Sequence, residues 1–221
     1  MKILALKPLA LALVVTGLAG TAKADITVFT TLASFQAAVG MIGTDTFTGF
    51  SITGTTPSPI TRSAGSFGYT GSITNPVGTN SHSFFGGGTT ADPFLATNVS
   101  GDTMSFGSFT GGVVSVGGNF FASNASGLFT SGGVTVTATD ASGTVTQVIS
   151  PTSASNGSFL GFVSTTGVTS FTVASNIVGT SIWPSVDNLT LAAAVPEPGT
   201  YALLLGGLGM VGFVARRRRA V

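Results

Sequence analysis

The chain contains no cysteine among its 221 residues. That excludes disulfides, thiol catalysis and cysteine-held zinc. Histidine occurs once, at His82, and glutamate once, at Glu197. Between Asp25 and Val195 there is no lysine and a single arginine, Arg62. The same region holds Asp25, Asp45, Asp92, Asp102, Asp140 and Asp187, so its net charge is −5 although the whole chain carries +1. A body without a basic patch is not built to bind nucleic acid or an anionic lipid surface. Charged residues are only 7% of the chain, but 17 phenylalanines and many β-branched residues argue against disorder. A body of roughly 170 residues buries enough surface to fold without disulfides.

What the body lacks in positive charge is found at the two ends. Lys2 and Lys7 precede an apolar run from Leu9 to Ala19, and Ala22-Lys23-Ala24 follows it. This is the layout of a secretory signal peptide over 1–24, cleaved so that the mature chain begins at Asp25. The C-terminal end has three parts in order: Pro196-Glu197-Pro198, an uncharged run from Tyr201 to Ala215, and Arg216-Arg217-Arg218-Arg219. The prolines fix φ and lack backbone donors, which keeps that segment extended and open to a processing enzyme. At ~1.5 Å per residue a helix over the apolar run is about 22 Å long. Against a hydrocarbon core of ~30 Å, it predicts a short C-terminal transmembrane helix. The four arginines act as a membrane stop held on the cytoplasmic side.

This three-part order resembles the PEP-CTERM sorting signal of Gram-negative bacteria. The resemblance implies recognition by an exosortase, a membrane-embedded cysteine transpeptidase-like enzyme. It implies removal of the tail, followed by release or attachment at the cell surface. Such proteins belong to bacteria that make exopolysaccharide. Exosortase and signal peptidase are thus the expected partners during export, with the membrane holding the precursor through its C-terminal helix. The expected division is a signal peptide over 1–24, a body over 25–194 and a sorting signal over 195–221.

Within the body, Ile26 to Phe29 alternates as a strand. Thr31 is placed to cap a short helix over Leu32 to Val39, with Leu32, Phe35 and Val39 on one face and Gly40 at its end. Beyond it the sequence turns to short β-branched or aromatic runs between glycine, asparagine, serine and proline. The predicted strands are Asp45–Phe50, Ser66–Tyr69, His82–Phe85, Phe94–Thr97, Thr103–Phe109, Val113–Phe121, Val134–Thr139, Val145–Ile149, Phe159–Val163, Ser170–Val173 and Val186–Leu191. Val134, Val136 and Ala138 alternate with outward threonines in a hairpin turned at Asp140 to Gly143. Val113–Phe121 reads as a central strand bulged at Gly117-Gly118. The fold class is therefore all-β, an antiparallel sandwich with one short N-terminal helix. Gly118-Asn119-Phe120-Phe121, the run from Phe159 to Ser164, Ser170 to Val173 and Trp183 to Leu191 together resemble the bodies of PEP-CTERM proteins. Those bodies are similar to jelly-roll sandwiches of the carbohydrate-binding-module or lectin type.

Few residues suggest chemistry. His82 with Ser81 or Ser83 lacks the context of a nucleophile elbow, so a surface histidine is expected. A glycosidase pair would have to come from the aspartates, and no spacing singles one out. By the same resemblance, Asp187-Asn188 lies where such sandwiches hold a structural calcium, with Asp45 able to contribute from the first sandwich strand. Calcium takes oxygen ligands of these types. The plainer alternative is that Asp187 and Asn188 make local turn and cap bonds. Trp183, before Pro184, is the residue best placed to stack on a sugar ring, with Tyr69 a second aromatic candidate; the plainer role for Trp183 is closing the sandwich end. These features favour a non-enzymatic structural or matrix component associated with exopolysaccharide. The alternatives are a calcium-dependent carbohydrate-binding module and, more remotely, a secreted hydrolase.

Overall fold

The computed structural model describes residues 25–74, 82–155, 157–176, 181–195 and 204–211. The expected signal peptide over 1–24, Pro196-Glu197-Pro198 and Arg216 to Arg219 lie outside the described residues.

The chain opens with β1 (Ile26–Phe29) and α1 (Leu32–Ala38). Thr31 caps α1 as its sequence position predicts: its backbone is extended and its hydroxyl accepts from the Ser34 N–H. There follow β2 (Ile42–Asp45), β3 (Thr55–Pro57), β4 (Ile60–Ala64), β5 (Phe67–Thr74), β6 (Ser83–Gly88), β7 (Pro93–Thr97) and β8 (Thr103–Thr110). The second half holds β9 (Val113–Ser123), β10 (Phe129–Thr130), β11 (Val134–Asp140), β12 (Thr144–Ile149), β13 (Phe159–Ser164), β14 (Val168–Ser175) and β15 (Trp183–Ala193).

These strands form two sheets, and every ladder is antiparallel. The larger has nine strands along the order β1-β13-β9-β15-β7-β6-β3, with β10 beside β9 and β2 beside β15. The smaller has six, in the order β12-β11-β14-β8-β5-β4. Alternation along each strand sends one set of side chains between the sheets. Phe106 and Phe171 of the smaller sheet stack at 4.6 Å, and Phe120 of the larger sheet meets Phe171 edge-on at 6.0 Å. Phe84, Leu95, Val116, Phe162, Val186 and Leu191 extend the same core. The result is a two-sheet antiparallel sandwich. Its nine and six strands exceed the eight of a jelly roll, and the strand order does not establish that narrower type.

Two smaller apolar clusters cover the outer face of the larger sheet. At one end α1 lays Phe35 and Val39 against Phe159 and Ala192. Gly161 makes this possible, since a Cβ there would lie 2.3 Å from the Phe35 ring. At the other end Phe94, Ala96 and Phe121 cluster, with Phe85 and Phe129 packed against them.

Three expectations need correction. The strand expected over Asp45–Phe50 lies earlier, at Ile42–Asp45, because Phe47 takes φ 54 and turns the chain out of the sheet. The bulge expected at Gly117-Gly118 sits on the neighbouring strand: β9 runs unbroken, and the β15 register shifts between Asp187 and Thr190. Asn188 absorbs the extra residue at φ 52. Finally, of the helix expected over Tyr201 to Ala215 the described residues 204–211 are helical, about 12 Å at ~1.5 Å per residue, and the rest lies outside the described residues. No helix among the described residues is long and apolar enough to cross a membrane.

Candidate functional site

β2 pairs with β15, so Asp45 does lie beside the last strand, opposite Leu189. Leu189 points into the inter-sheet core, and Asp45 shares that face. There its carboxylate is fully engaged. Oδ1 accepts from the Phe47 N–H at 2.8 Å and from Arg62 Nη2 at 2.7 Å. Oδ2 accepts from Arg62 Nε and from the Tyr69 hydroxyl, both at 2.7 Å. Burial alone would push Asp45 up, but the Arg62 and Tyr69 hydrogen bonds, with the Phe47 N–H, outweigh it and hold the carboxyl below its ordinary value. Tyr69 is itself buried, and burial beside Asp45 raises its phenol. Tyr69 is therefore a core residue rather than an exposed sugar platform. The Arg62 guanidinium also lies 4.7 Å from the centre of the Phe50 ring. The body's one arginine is thus committed to tying β2 to β4 and β5.

Asp187 occupies the opposite face. Its cross-strand partner is Asn119, whose amide donates to Ser158 Oγ at 2.8 Å on the outside of the larger sheet. Asp187 accepts from the Asn188 backbone N–H at 2.7 Å and from Asn188 Nδ2 at 2.8 Å. These are the local cap bonds of a bulge residue. Burial, with the charge of Asp92, pushes Asp187 from 3.8 up to about 6. Asp187, Asn188 and Asp45 therefore do not converge on one point. No group of three or more histidine, aspartate or glutamate side chains that could hold a metal is found among the described residues.

His82 is exposed and lies just before β6. Ser81 lies outside the described residues. Asp25 is exposed and accepts a hydrogen bond from the Thr165 hydroxyl, which ties the start of the body to the β13–β14 turn. Asp140 closes the β11–β12 hairpin by accepting from the Ser142 and Gly143 N–H groups and from Ser164 Oγ. Asp102 was not singled out by sequence, yet it is 1% exposed and neither carboxylate oxygen has a hydrogen-bond partner among the described residues. Burial raises its pKa. An aspartate before a strand carries no sequence signal that separates this state from a capping role.

Trp183 lines a cavity of about 150 Å³ on the outer face of the larger sheet, beyond the Phe94 cluster. Trp183 faces Ser123 across the β15–β9 ladder, and Phe85 faces Ala96 across the β6–β7 ladder. Asn98 and Asn124, just past the ends of β7 and β9, complete the polar side. The indole Nε1 donates to the Asn98 carbonyl at 3.3 Å, which fixes the ring. Trp183 is half-buried, so it walls a pocket rather than plugging the core.

Residues 194–219 match the PEP-CTERM protein-sorting motif. The match starts one residue after β15 ends at Ala193. No curated protein and no solved structure matches the chain. The chain carries the sorting motif on which exosortases act, which marks an exported protein held at the membrane before processing.

Proposed function

We propose that this chain is the precursor of a non-enzymatic surface or extracellular-matrix protein, a β-sandwich exported with a cleavable signal and processed by an exosortase in an exopolysaccharide-producing bacterium. The observation that carries the reading is the join between body and motif. β15 lies inside the larger sheet between β9 and β7, with β2 also paired to it, and it ends at Ala193. The sorting motif begins at 194. Cutting within the motif therefore leaves every strand in the body. The Gly40 N–H donates to the Ala193 carbonyl and the Ala193 N–H to the Met41 carbonyl, both at 2.9 Å. These bonds fasten the last strand at the point where the tail departs.

The non-enzymatic part of the reading draws on the fate of the candidate groups. Asp45 is saturated by Arg62, Tyr69 and Phe47, and Asp140 by its own turn and Ser164. Asp187 is bonded to its neighbour Asn188. Asp25 is bonded to Thr165, and Asp102, though without a hydrogen bond among the described residues, is closed off from solvent at 1% exposure; a hydrolytic pair needs two free carboxylates flanking a substrate. Deleting the exosortase in the producing strain tests the proposal. The protein should then accumulate in the membrane fraction with its C-terminal arginines intact. Unchanged release into the medium at the mature size would contradict it.

A further inference from the structure

We propose that the Trp183 cavity is a subsite for one neutral pyranose ring, bound without a metal ion. This goes beyond the sorting assignment and does not depend on it, because the cavity belongs wholly to the sandwich. Its size sets the occupant. About 150 Å³ is well below the roughly 300–1,000 Å³ of pockets for drug-sized ligands. A single ring fits this space and a folded chain does not.

The lining sets the chemistry. Trp183 and Phe85 supply aromatic surface, to which a pyranose can present its C–H face. The polar groups have capacity to spare. The Asn98 side-chain amide has no hydrogen-bond partner among the described residues, so both its donor and its acceptor are available. Asn124 Oδ1 is held by the Ser126 and Leu128 N–H groups at 2.9 and 3.1 Å, which fixes the amide and leaves its NH₂ to donate. Ser123 is buried and bonded to Ser185 Oγ at 2.8 Å, so it forms the floor of the cavity and leaves the polar contacts to the two asparagines. Donors and acceptors beside an aromatic wall suit neighbouring ring hydroxyls. No lining residue is charged, which selects a neutral sugar over a uronate or a phosphorylated one. The Nε1 bond to the Asn98 carbonyl holds the indole before binding, so little order is lost when a ligand arrives.

The chain's only tryptophan is in this cavity, so its intrinsic emission reports on the site directly. The exported protein would be titrated with methyl glucopyranoside, methyl mannopyranoside, methyl galactopyranoside and N-acetylglucosamine, with glucuronate as the charged comparison. At least one neutral sugar should give a saturable emission change at millimolar concentration, with and without EDTA. Asn98→Ala should weaken it by about tenfold or more through the lost hydrogen bonds. The variant should melt as the parent does, because the Asn98 side chain makes no internal bond among the described residues. No response to any neutral sugar, a response to glucuronate alone, a requirement for calcium, or an unchanged affinity in Asn98→Ala would each overturn the proposal. Loss of the sugar site would leave tail processing untouched, so the two readings fail separately.

Discussion

Replacing Arg62 by methionine tests the internal electrostatics most sharply. The substitution keeps an apolar stem beside Phe50 but removes two of the four donors to Asp45. Asp45 is only 5% exposed, so its carboxylate would be left in the core with the Phe47 N–H and the Tyr69 hydroxyl alone. Removing one partner of a buried pair costs about 3–5 kcal/mol. The Arg62 side chain is 23% exposed, which places the expected loss near the low end, at about 3 kcal/mol. That is a large part of a typical domain stability of ~5–15 kcal/mol. Urea unfolding followed by Trp183 emission would measure it. The pH dependence has a definite sign. In the parent, the carboxyl is held below its ordinary value, so its stabilisation is present above the unfolded value of 3.8 and is lost as pH falls through the depressed folded value. In Arg62→Met, burial is no longer outweighed and the carboxyl rises, so the penalty at neutral pH is relieved on acidification. The gap between parent and variant should narrow as pH falls towards about 4. Adding Asp45→Asn to Arg62→Met should recover part of the loss, since an amide replaces an unpaired charge. A loss below ~1 kcal/mol with no pH dependence would match an exposed pair instead and refute the reasoning.

Two further substitutions probe the outer face of the larger sheet. Asp187 is raised from 3.8 to about 6, so it weakens the fold as pH rises through that window; because an amide keeps only one of the two bonds from Asn188, Asp187→Asn should stabilise by about 1–2 kcal/mol at neutral pH. The gain should fade as pH falls towards 4, and denaturant titrations at several pH values would show it; a variant less stable than the parent at neutral pH would contradict the assignment. Gly161→Ala forces a Cβ against the buried Phe35 ring and should cost about 1–3 kcal/mol, with faster amide exchange in α1 than in the smaller sheet.

Much of the sandwich was legible because its strands alternate cleanly. β11 and β12 pair in the expected register, Thr137 opposite Thr146 with their hydroxyls 2.9 Å apart, while Val134, Val136 and Ala138 enter the core. The Thr31 cap and the Phe35 face of α1 follow from local spacing alone. β3 and β4 were not predicted, because Thr55 to Ala64 is short, broken by Pro57 and Pro59, and offers the core only Ile60 and Ala64. The Asp45 network joins residues 17 and 24 positions apart, a pairing that no local pattern encodes. The one available sign was compositional: a lone arginine in a lysine-free body needs a carboxylate. The expectation that Asp45 could lie close to the last strand places the right strands together. Only the ladder registers, with Asp45 opposite Leu189 and Asp187 opposite Asn119, show that the two carboxylates point apart. The Trp183 cavity draws on β6, β7, β9 and β15, so sequence could nominate the tryptophan but not its neighbours.

The central claim is that a sandwich ending at Ala193 is delivered by a motif that is then cut away. The intact mass of the protein, recovered from culture medium and from the cell envelope, tests it most directly. The account predicts one species in which the chain starts at Asp25 and ends within the motif, without Arg216 to Arg219. A mass that retains those arginines, or one that is the same with and without the exosortase, would contradict it.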